Sequence, residues 1–171
     1  MDDLIHSCID YRCKNEYIFN KIKASRHIAA IFTKKNKILS FGMNYLPLNK
    51  DRSIHAEVSA LENLNNFIDK NKKKYKNLYM IVLRIDSLSD EINYKLVNSK
   101  PCICCLSKIS DYKKKGINIK KIYYSNNYSF IESKKLNDFF LEKPILSSFD
   151  RKYIEYNKLP EKVKQYLSKA F

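Results

Sequence analysis

Four residues in two short segments have the types and spacing of a catalytic zinc site. The first segment contains His55 and Glu57, and the second contains Cys102 and Cys105. The two cysteines are three positions apart, which places both sulfurs on one face of a helix, within reach of one ion. One imidazole and two thiolates leave the fourth tetrahedral position of zinc to water, as a catalytic site requires. We therefore predict His55, Cys102 and Cys105 as zinc ligands and Glu57 as the group that moves protons.

Each segment is expected to lie at the N-terminus of a helix. Apolar residues at helical spacing over residues 53–68 predict the first helix, with Ser53 as its N-cap. Pro101 is suited to begin the second helix because it lacks the amide hydrogen that a first turn does not use, and Gly116 is suited to end it. Because a helix N-terminus favours negative charge, these positions lower the cost of thiolate ligands.

Short apolar runs around these helices predict the strands of a mixed sheet. The first two runs form a β-hairpin that ends at Asn44. The run over residues 78–85 is nearly continuous, which is typical of a strand buried on both faces. The last run is expected to return antiparallel to the strand before it. The expected strands cover residues 27–32, 38–44, 78–85, 117–124 and 128–131.

The order of these elements predicts a single α/β domain in three layers, with helices on both sides of a central mixed five-stranded sheet. We place the core of this domain at about residues 24–141. An N-terminal helix over residues 2–22 and a C-terminal helical extension over residues 145–171 are expected to flank it.

The complete pattern H-x-E followed by P-C-x-x-C resembles that of the cytidine and deoxycytidylate deaminase superfamily. Here it is formed by His55, Glu57, Pro101, Cys102 and Cys105, and the resemblance covers roughly residues 28–131. It implies a cytidine-deaminase-like fold, a Zn²⁺ cofactor and hydrolytic removal of a nucleobase amino group as ammonia. In that reaction Glu57 takes a proton from zinc-activated water and delivers it to the ring and then to the departing amine.

Two further residues are assigned to the substrate through the same resemblance. Asn44 matches a G-x-N position of the superfamily, whose asparagine contacts the substrate near its sugar. Ala56, between His55 and Glu57, is predicted to border the substrate.

The chain departs from compact members of the superfamily in the distance between its two motifs. Positions 58–100, which are 43 residues, separate Glu57 from Pro101, and we place the extra length in residues 70–76 and 86–100. Because the second segment leads straight into the cysteines, we expect it to shape the substrate entrance. Cys104 lies off the ligand face by helical spacing, so we predict a buried apolar cysteine and not a fourth ligand.

Several other residues have both a functional and an ordinary interpretation. Lys50 and Arg52 are candidates to bind a substrate phosphate, with a solvated loop as the favoured alternative. Tyr123 and Tyr124 are candidates to stack on a base, with core packing as the favoured alternative. His27 is expected to be an ordinary polar or partly buried side chain.

The charge balance leaves the partner of the protein open. The chain has 33 Lys and Arg against 18 Asp and Glu, a formal net charge of +15 that favours polyanionic partners. Most of these cations are Lys and glycine occurs only twice, a combination that AT-rich coding produces without selection for nucleic-acid binding. The excess still attracts a phosphate-bearing substrate better than a neutral one. RNA or another single-stranded nucleic acid is therefore an alternative partner to a free nucleoside or nucleotide.

The sequence predicts a soluble cytoplasmic protein with no membrane partner. Its first residues are acidic, unlike a secretory signal, and no apolar run is long enough to span a bilayer. An odd total of five cysteines suits metal binding in a reducing compartment better than a disulfide framework. Members of the superfamily commonly form dimers or tetramers, so a homo-oligomer is an alternative to a monomer.

Three functions stay open on the sequence alone. The first is deamination of cytosine in a free nucleoside or nucleotide, because superfamily members of that type tend to have antiparallel last strands. The second is a tRNA or single-stranded polynucleotide deaminase, in which a helix over residues 134–140 and a strand over residues 144–146 would make those strands parallel. The third is a catalytically silent, zinc-stabilised RNA-binding or scaffold protein. Glu57 argues against the third, because a purely structural zinc site has no use for an acid beside it.

Overall fold

A mixed β-sheet with helices on both sides is the framework of the protein. The computed structural model describes residues 1–15, 26–47, 53–71, 75–88, 94–147, 161 and 165. Along the chain the elements are α1 (Asp2–Lys14), β1 (His27–Phe32), β2 (Ile38–Met43), α2 (Ala56–Asn71), β3 (Tyr75–Leu88), β4 (Tyr94–Val97), α3 (Ile103–Tyr112), β5 (Ile117–Ser125), β6 (Ile131–Lys135) and α4 (Leu136–Phe139). A 3₁₀ turn, Lys113–Lys115, follows α3 and ends at Gly116, as predicted.

Five strands form the continuous part of the sheet in the order β2-β1-β3-β5-β6. β3 and β5 are parallel, and the other neighbours are antiparallel. Parallel pairing of β3 with β5 requires the chain to cross over between them, and α3 makes that crossing. The N-terminus of α3 therefore lies near the end of β3, where the sequence places the cysteine motif.

Because side chains alternate along each strand, the sheet has a separate core on each face, and different helices cover the two faces. The core between the sheet and the helices α2 and α3 contains Ala29, Ile31, Leu61, Leu64, Met80, Val82, Leu106 and Ile109. The core between the sheet and α1 contains Leu4, Cys8, Ile9, Ile28, Ala30, Ile81, Leu83 and Leu96. The predicted three-layer α/β/α fold is confirmed.

The segment over residues 86–100, expected as a polar excursion, contains a sixth strand. β3 continues beyond its pairing with β5, and from Arg84 onward it pairs antiparallel with β4. Leu96 of β4 is buried, and Tyr94 packs against the core that contains α1. Within the described residues, the sheet therefore has one strand more than the five predicted. This strand, β4, forms a hairpin with the end of β3, which we call the hairpin arm. The alternation of Ile92, Tyr94 and Leu96 in this mostly polar segment was the signal that could have predicted the strand.

The last strands bear on the choice between the alternative functions. β6 begins at Ile131, three residues later than expected, and it is antiparallel to β5 as predicted. The helix after it is the short α4, and residues 144–146 have no regular structure. The described residues therefore do not contain the parallel arrangement.

The ends of the chain differ in part from the prediction. α1 ends at Lys14, and residues 16–22 of the expected helix lie outside the described residues. Residues 145–147, expected to begin a helical extension, have no regular structure, while Glu161 and Gln165 are helical. The single-domain organisation stays a prediction. Within the described part of the chain, no helix has the length and apolarity needed to cross a membrane.

Candidate active site

His55 lies at the N-cap position of α2. The Ser59 amide donates to the His55 carbonyl over 3.0 Å, which is the first hydrogen bond of the helix. Two backbone bonds between Tyr45 and Ile54 hold the preceding residue in a short β-bridge. Because this bridge keeps residue 54 extended, the helix begins at Ala56, and the prediction of Ser53 as its N-cap is wrong.

A side chain from another element caps α2. The Ala56 amide donates to Asn44 Oδ1 over 2.8 Å, and Asn44 is buried at the end of β2. β2 also approaches the helix closely, since a Cβ added to Gly42 would lie 2.1 Å from the Ala60 amide nitrogen. Asn44 and Ala56, both predicted to contact the substrate, are therefore joined to each other beside His55.

Cys102 is the N-cap residue of α3. The Leu106 amide donates to the Cys102 carbonyl over 3.0 Å, and Cys105 follows in the first turn. Pro101 precedes the N-cap, so it is outside the helix and not at its first position as predicted. The two ligand-bearing segments thus reach the site in the same way, with a predicted ligand at the N-cap of each helix.

The three predicted ligand atoms come together. His55 Nδ1 lies 3.2 Å from Cys105 Sγ and 3.6 Å from Cys102 Sγ, and all three atoms are within 4.8 Å of one another. Zinc–sulfur and zinc–nitrogen bonds in a tetrahedral site place sulfur and nitrogen ligands about 3.6 Å apart. The donor set and its spacing fit Zn²⁺, which is the cofactor of this site.

Mutual hydrogen bonding shifts the pKa values of the two cysteines in opposite directions. Both are buried. The hydrogen bond from Cys105 lowers the pKa of Cys102, with further lowering by His55, while burial opposes it. The same bond, together with burial, raises the pKa of Cys105. Zinc binds cysteine as the thiolate, so metal binding releases protons from this pair.

Glu57 is buried beside the three ligand atoms without belonging to their group. Burial and, to a smaller extent, the negative charge of Cys102 raise its pKa from 4.5 to about 7, against the opposing effect of His55. A carboxyl group with a pKa near neutrality can both accept and donate a proton, which is the requirement for general acid–base chemistry.

His27 and Arg84 are two residues near the site that the sequence did not single out for function. They are opposite each other on β1 and β3. By strand alternation they share a face with Ala29, Ile31 and Val82, which is the face that α2 and α3 cover. Burial lowers the pKa of His27 to about 3, helped by the positive charges of Arg84 and His55. The alternation of residues 27–32 was the signal that could have placed His27 on the site face.

Among the other candidate residues, the two tyrosines pack in the core, Cys104 lies outside the ligand group, and two lie outside the described residues. Tyr124 is buried against Phe139 and Tyr123 packs near Phe32, so core packing is confirmed for both. Cys104 lies outside the ligand group, as predicted, but it is half-buried and not buried. The predicted phosphate contacts at positions 50 and 52 lie outside the described residues.

The sequence of the chain matches the model of a known protein family. The model of the cytidine and deoxycytidylate deaminase zinc-binding region matches residues 13–124, which is well over half of the chain. Among solved structures, a cytidine deaminase from Burkholderia pseudomallei is similar at 12% sequence identity and a TM-score of 0.41, over 68% of this chain and 79% of that chain. No curated protein matches the sequence. The zinc site and the family match together identify the chain as a member of the cytidine and deoxycytidylate deaminase family.

Proposed function

We propose that this protein is a zinc-dependent hydrolase that deaminates cytosine in a free nucleoside or nucleotide and releases ammonia. The observation that carries the proposal is the meeting of His55, Cys102 and Cys105 at two helix N-termini, with the carboxyl group of Glu57 buried beside them. The ligand set supports metal binding, and the acid provides the proton transfers that hydrolysis needs.

The residues of the site divide the chemistry between them. His55, Cys102 and Cys105 would hold Zn²⁺, which when bound lowers the pKa of a coordinated water to about 7. Glu57 accepts a proton from the attacking water and delivers it to the ring nitrogen next to the amino-bearing carbon. Glu57 then transfers a second proton from the attacking oxygen to the departing amino group. Ammonia leaves, and a carbonyl group replaces the amino group on the ring.

Asn44 and Ala56 are proposed to position the substrate. Because Asn44 Oδ1 accepts a hydrogen bond from the Ala56 amide, the orientation of the Asn44 side chain is defined relative to α2. We assign the amide group of Asn44 to a hydroxyl of the substrate sugar. Ala56 would form the adjacent wall, between the metal ligand His55 and the proton carrier Glu57.

Two features support a free nucleoside or nucleotide as the substrate. The antiparallel β5–β6 pair is the arrangement expected of the free-nucleoside type. Arg84 is exposed on the site face of the sheet, where its guanidinium group can bind a phosphate. We infer that 5′-nucleotides such as dCMP are better substrates than the corresponding nucleosides. A site that depends on thiolates also suits a reducing compartment, which supports a cytoplasmic location.

Deamination of single-stranded RNA is a second candidate function, favoured by two aromatic side chains. Tyr128 and Phe130 are 80% and 69% exposed in the loop between β5 and β6. Hydrogen bonds from the Asn98 amide to Asn127 Oδ1 and from Ser129 Oγ to the Leu96 carbonyl join this loop to the segment that precedes Cys102. Exposed rings at such a place can stack on unpaired bases, each for about 1–3 kcal/mol.

The decisive experiment compares turnover and zinc content in the wild type and in Glu57→Ala. Cytidine, deoxycytidine, CMP, dCMP, adenosine and bulk tRNA are supplied in turn, and products are identified by mass spectrometry. We expect Glu57→Ala to keep its zinc and to lose at least about 100-fold in turnover, because the proton carrier is removed. Glu62→Ala, on the same helix, is the matched control with turnover near that of the wild type. Unchanged turnover in Glu57→Ala would refute the assignment.

The same assay separates the candidate substrates. Arg84→Gln should raise KM for dCMP and leave KM for deoxycytidine unchanged. Tyr128→Ala with Phe130→Ala should lower turnover of tRNA alone. Full zinc occupancy with no turnover of any substrate would instead identify a silent zinc-stabilised scaffold.

A further inference from the structure

The hairpin arm separates the cysteine motif from the body of the sheet. The last pair between β3 and β5 joins Val82 to Tyr124, and from Arg84 the chain runs out along β3 and returns along β4. Residues 98–101 alone then connect β4 to Cys102, the N-cap of α3. We call residues 98–102 the metal loop, and this loop begins where the hairpin arm ends. Interactions with the main sheet are therefore needed to hold the start of the metal loop in place.

Two buried serines join the end of the hairpin to the sheet. Ser99 is 3% exposed and Ser125, the last residue of β5, is fully buried. The Ser99 amide donates to the Ser125 carbonyl over 2.9 Å, and the Ser125 amide donates to Ser99 Oγ over 2.8 Å. Ser99 Oγ donates to the Val82 carbonyl over 2.7 Å, and Ser125 Oγ donates to the Val97 carbonyl over 2.6 Å.

These bonds tie together four points of the backbone. Val82 is at the end of the β3–β5 pairing, Val97 ends β4, and the two serines contribute both main-chain and side-chain groups. The hydroxyl oxygens themselves lie 2.9 Å apart. Because Ser99, Ser125 and Val82 are buried, loss of a bond among them leaves a buried polar atom without its partner. The arrangement fixes Ser99 against two strands, and Cys102 follows three residues later.

We infer that Ser99 and Ser125 form a clamp that positions the metal loop after the inserted hairpin and thereby sets the zinc affinity of the site. They are positioning residues, since neither belongs to the ligand group. A tetrahedral site requires its ligands to lie within a few tenths of an ångström of the ideal separation. Movement at residue 99 passes to Cys102 through the two intervening residues, while His55, on another helix, stays in place. The inference rests on the ligand assignment of the proposed function.

The test measures zinc affinity by competition with a chelating indicator, together with thermal unfolding. Ser99→Ala should raise the zinc dissociation constant by about tenfold or more, in the range typical of residues that orient metal ligands. Ser99→Thr keeps the hydroxyl and should restore most of the affinity. Ser7→Ala is the control, because Ser7 Oγ also donates to a main-chain carbonyl, that of Asp3 over 2.7 Å, but within α1, on the face of the sheet opposite to α2 and α3. It should leave the zinc affinity unchanged.

If Ser99→Ala does not fold, Ser125→Ala tests the same inference. This variant should also raise the zinc dissociation constant. A foldable Ser99→Ala or Ser125→Ala variant that binds zinc as tightly as the Ser7→Ala control would overturn the clamp. Failure of both the Ser99 and the Ser125 variants to fold, with Ser7→Ala folded, would reduce the pair to a structural role and would also overturn the clamp. A wild type that binds no zinc would refute the proposed function itself, which distinguishes the two failures.

Discussion

The two helix N-termini that meet at the site receive their support from different kinds of interaction. At α2, the first helical amide is capped by the side chain of Asn44 from the neighbouring strand, and β2 packs directly on the helix at Gly42. At α3, the side chain of Cys102 makes no cap bond, and the first helical amide, of Ile103, donates instead to the main-chain carbonyl of Ile145 over 2.8 Å. The bonds of Ser99 and Ser125 also hold the chain that enters α3. A side chain therefore caps one helix, whereas a main-chain carbonyl caps the other.

This difference follows from the residues that occupy the two N-cap positions. An N-cap side chain normally accepts a hydrogen bond from the first turn of its own helix. Here the N-caps are His55 and Cys102, whose ligand atoms lie together across the site. Cys102 makes no cap bond with its side chain, and the first amide of each helix donates to a group from elsewhere in the fold. We conclude that, where a predicted metal ligand occupies the N-cap, residues outside the H-x-E and P-C-x-x-C motifs hold the end of the helix.

Removing one ligand is expected to have the largest effect and tests whether the two halves form one site. Cys105→Ala should lose its zinc and its turnover, and its melting temperature should fall because metal binding also stabilises the fold. Cys104→Ala, one position away and outside the ligand group, is the control that should keep its zinc. Metal content and thermal unfolding of both proteins measure the outcome. A Cys105→Ala protein with one full equivalent of zinc would contradict the ligand assignment.

A comparison of the two glycines should give the next largest effect. Gly42→Ala places a methyl group 2.1 Å from a backbone nitrogen of α2, so the helix must move away from the sheet. We expect a loss of about 3 kcal/mol in the free energy of unfolding, together with weaker zinc binding because His55 moves with the helix. In Gly116→Ala the new methyl group has open space, but its φ of 84° costs about 1–2 kcal/mol.

Denaturant unfolding and zinc titration of both glycine variants provide the measurement. The affinity for zinc should change at Gly42 and stay unchanged at Gly116, which lies at the far end of α3. Equal zinc affinities for the two variants would show that close packing of β2 on α2 has no part in holding His55.

The smallest expected effect separates the two roles of Asn44. Asn44→Ala removes the cap of α2 and should lower the free energy of unfolding by about 1 kcal/mol, as well as raise KM. Asn44→Asp keeps an oxygen acceptor for the Ala56 amide but loses the amide hydrogens assigned to the substrate. It should therefore keep near wild-type stability and still raise KM. If the aspartate variant also has the wild-type KM, Asn44 serves only as a cap.

The chemistry of the site could be predicted from the sequence because its spacing is local. Cys102 and Cys105 are three positions apart, and His55 and Glu57 are two positions apart, which brings each pair together at the start of one helix. Short apolar runs predicted the five strands of the main sheet for the same reason. Prediction was poorer where local preference competes with distant contacts. Ser53 is a good N-cap by type, but the bridge between Tyr45 and Ile54 moves the start of the helix to Ala56.

The sequence by itself determined the ligand types, the acid beside them, the family and the layers of the fold, since each depends on residue type and on spacing within one element. Only the tertiary structure decided what supports those ligands. The cap joins residues 12 positions apart, and the serine clamp joins residues 26 positions apart. Serine and asparagine are common in loops, and no periodic pattern marks the ones that become buried partners. Their role arises only when the sheet brings distant strand ends together and excludes water from the bonds between them.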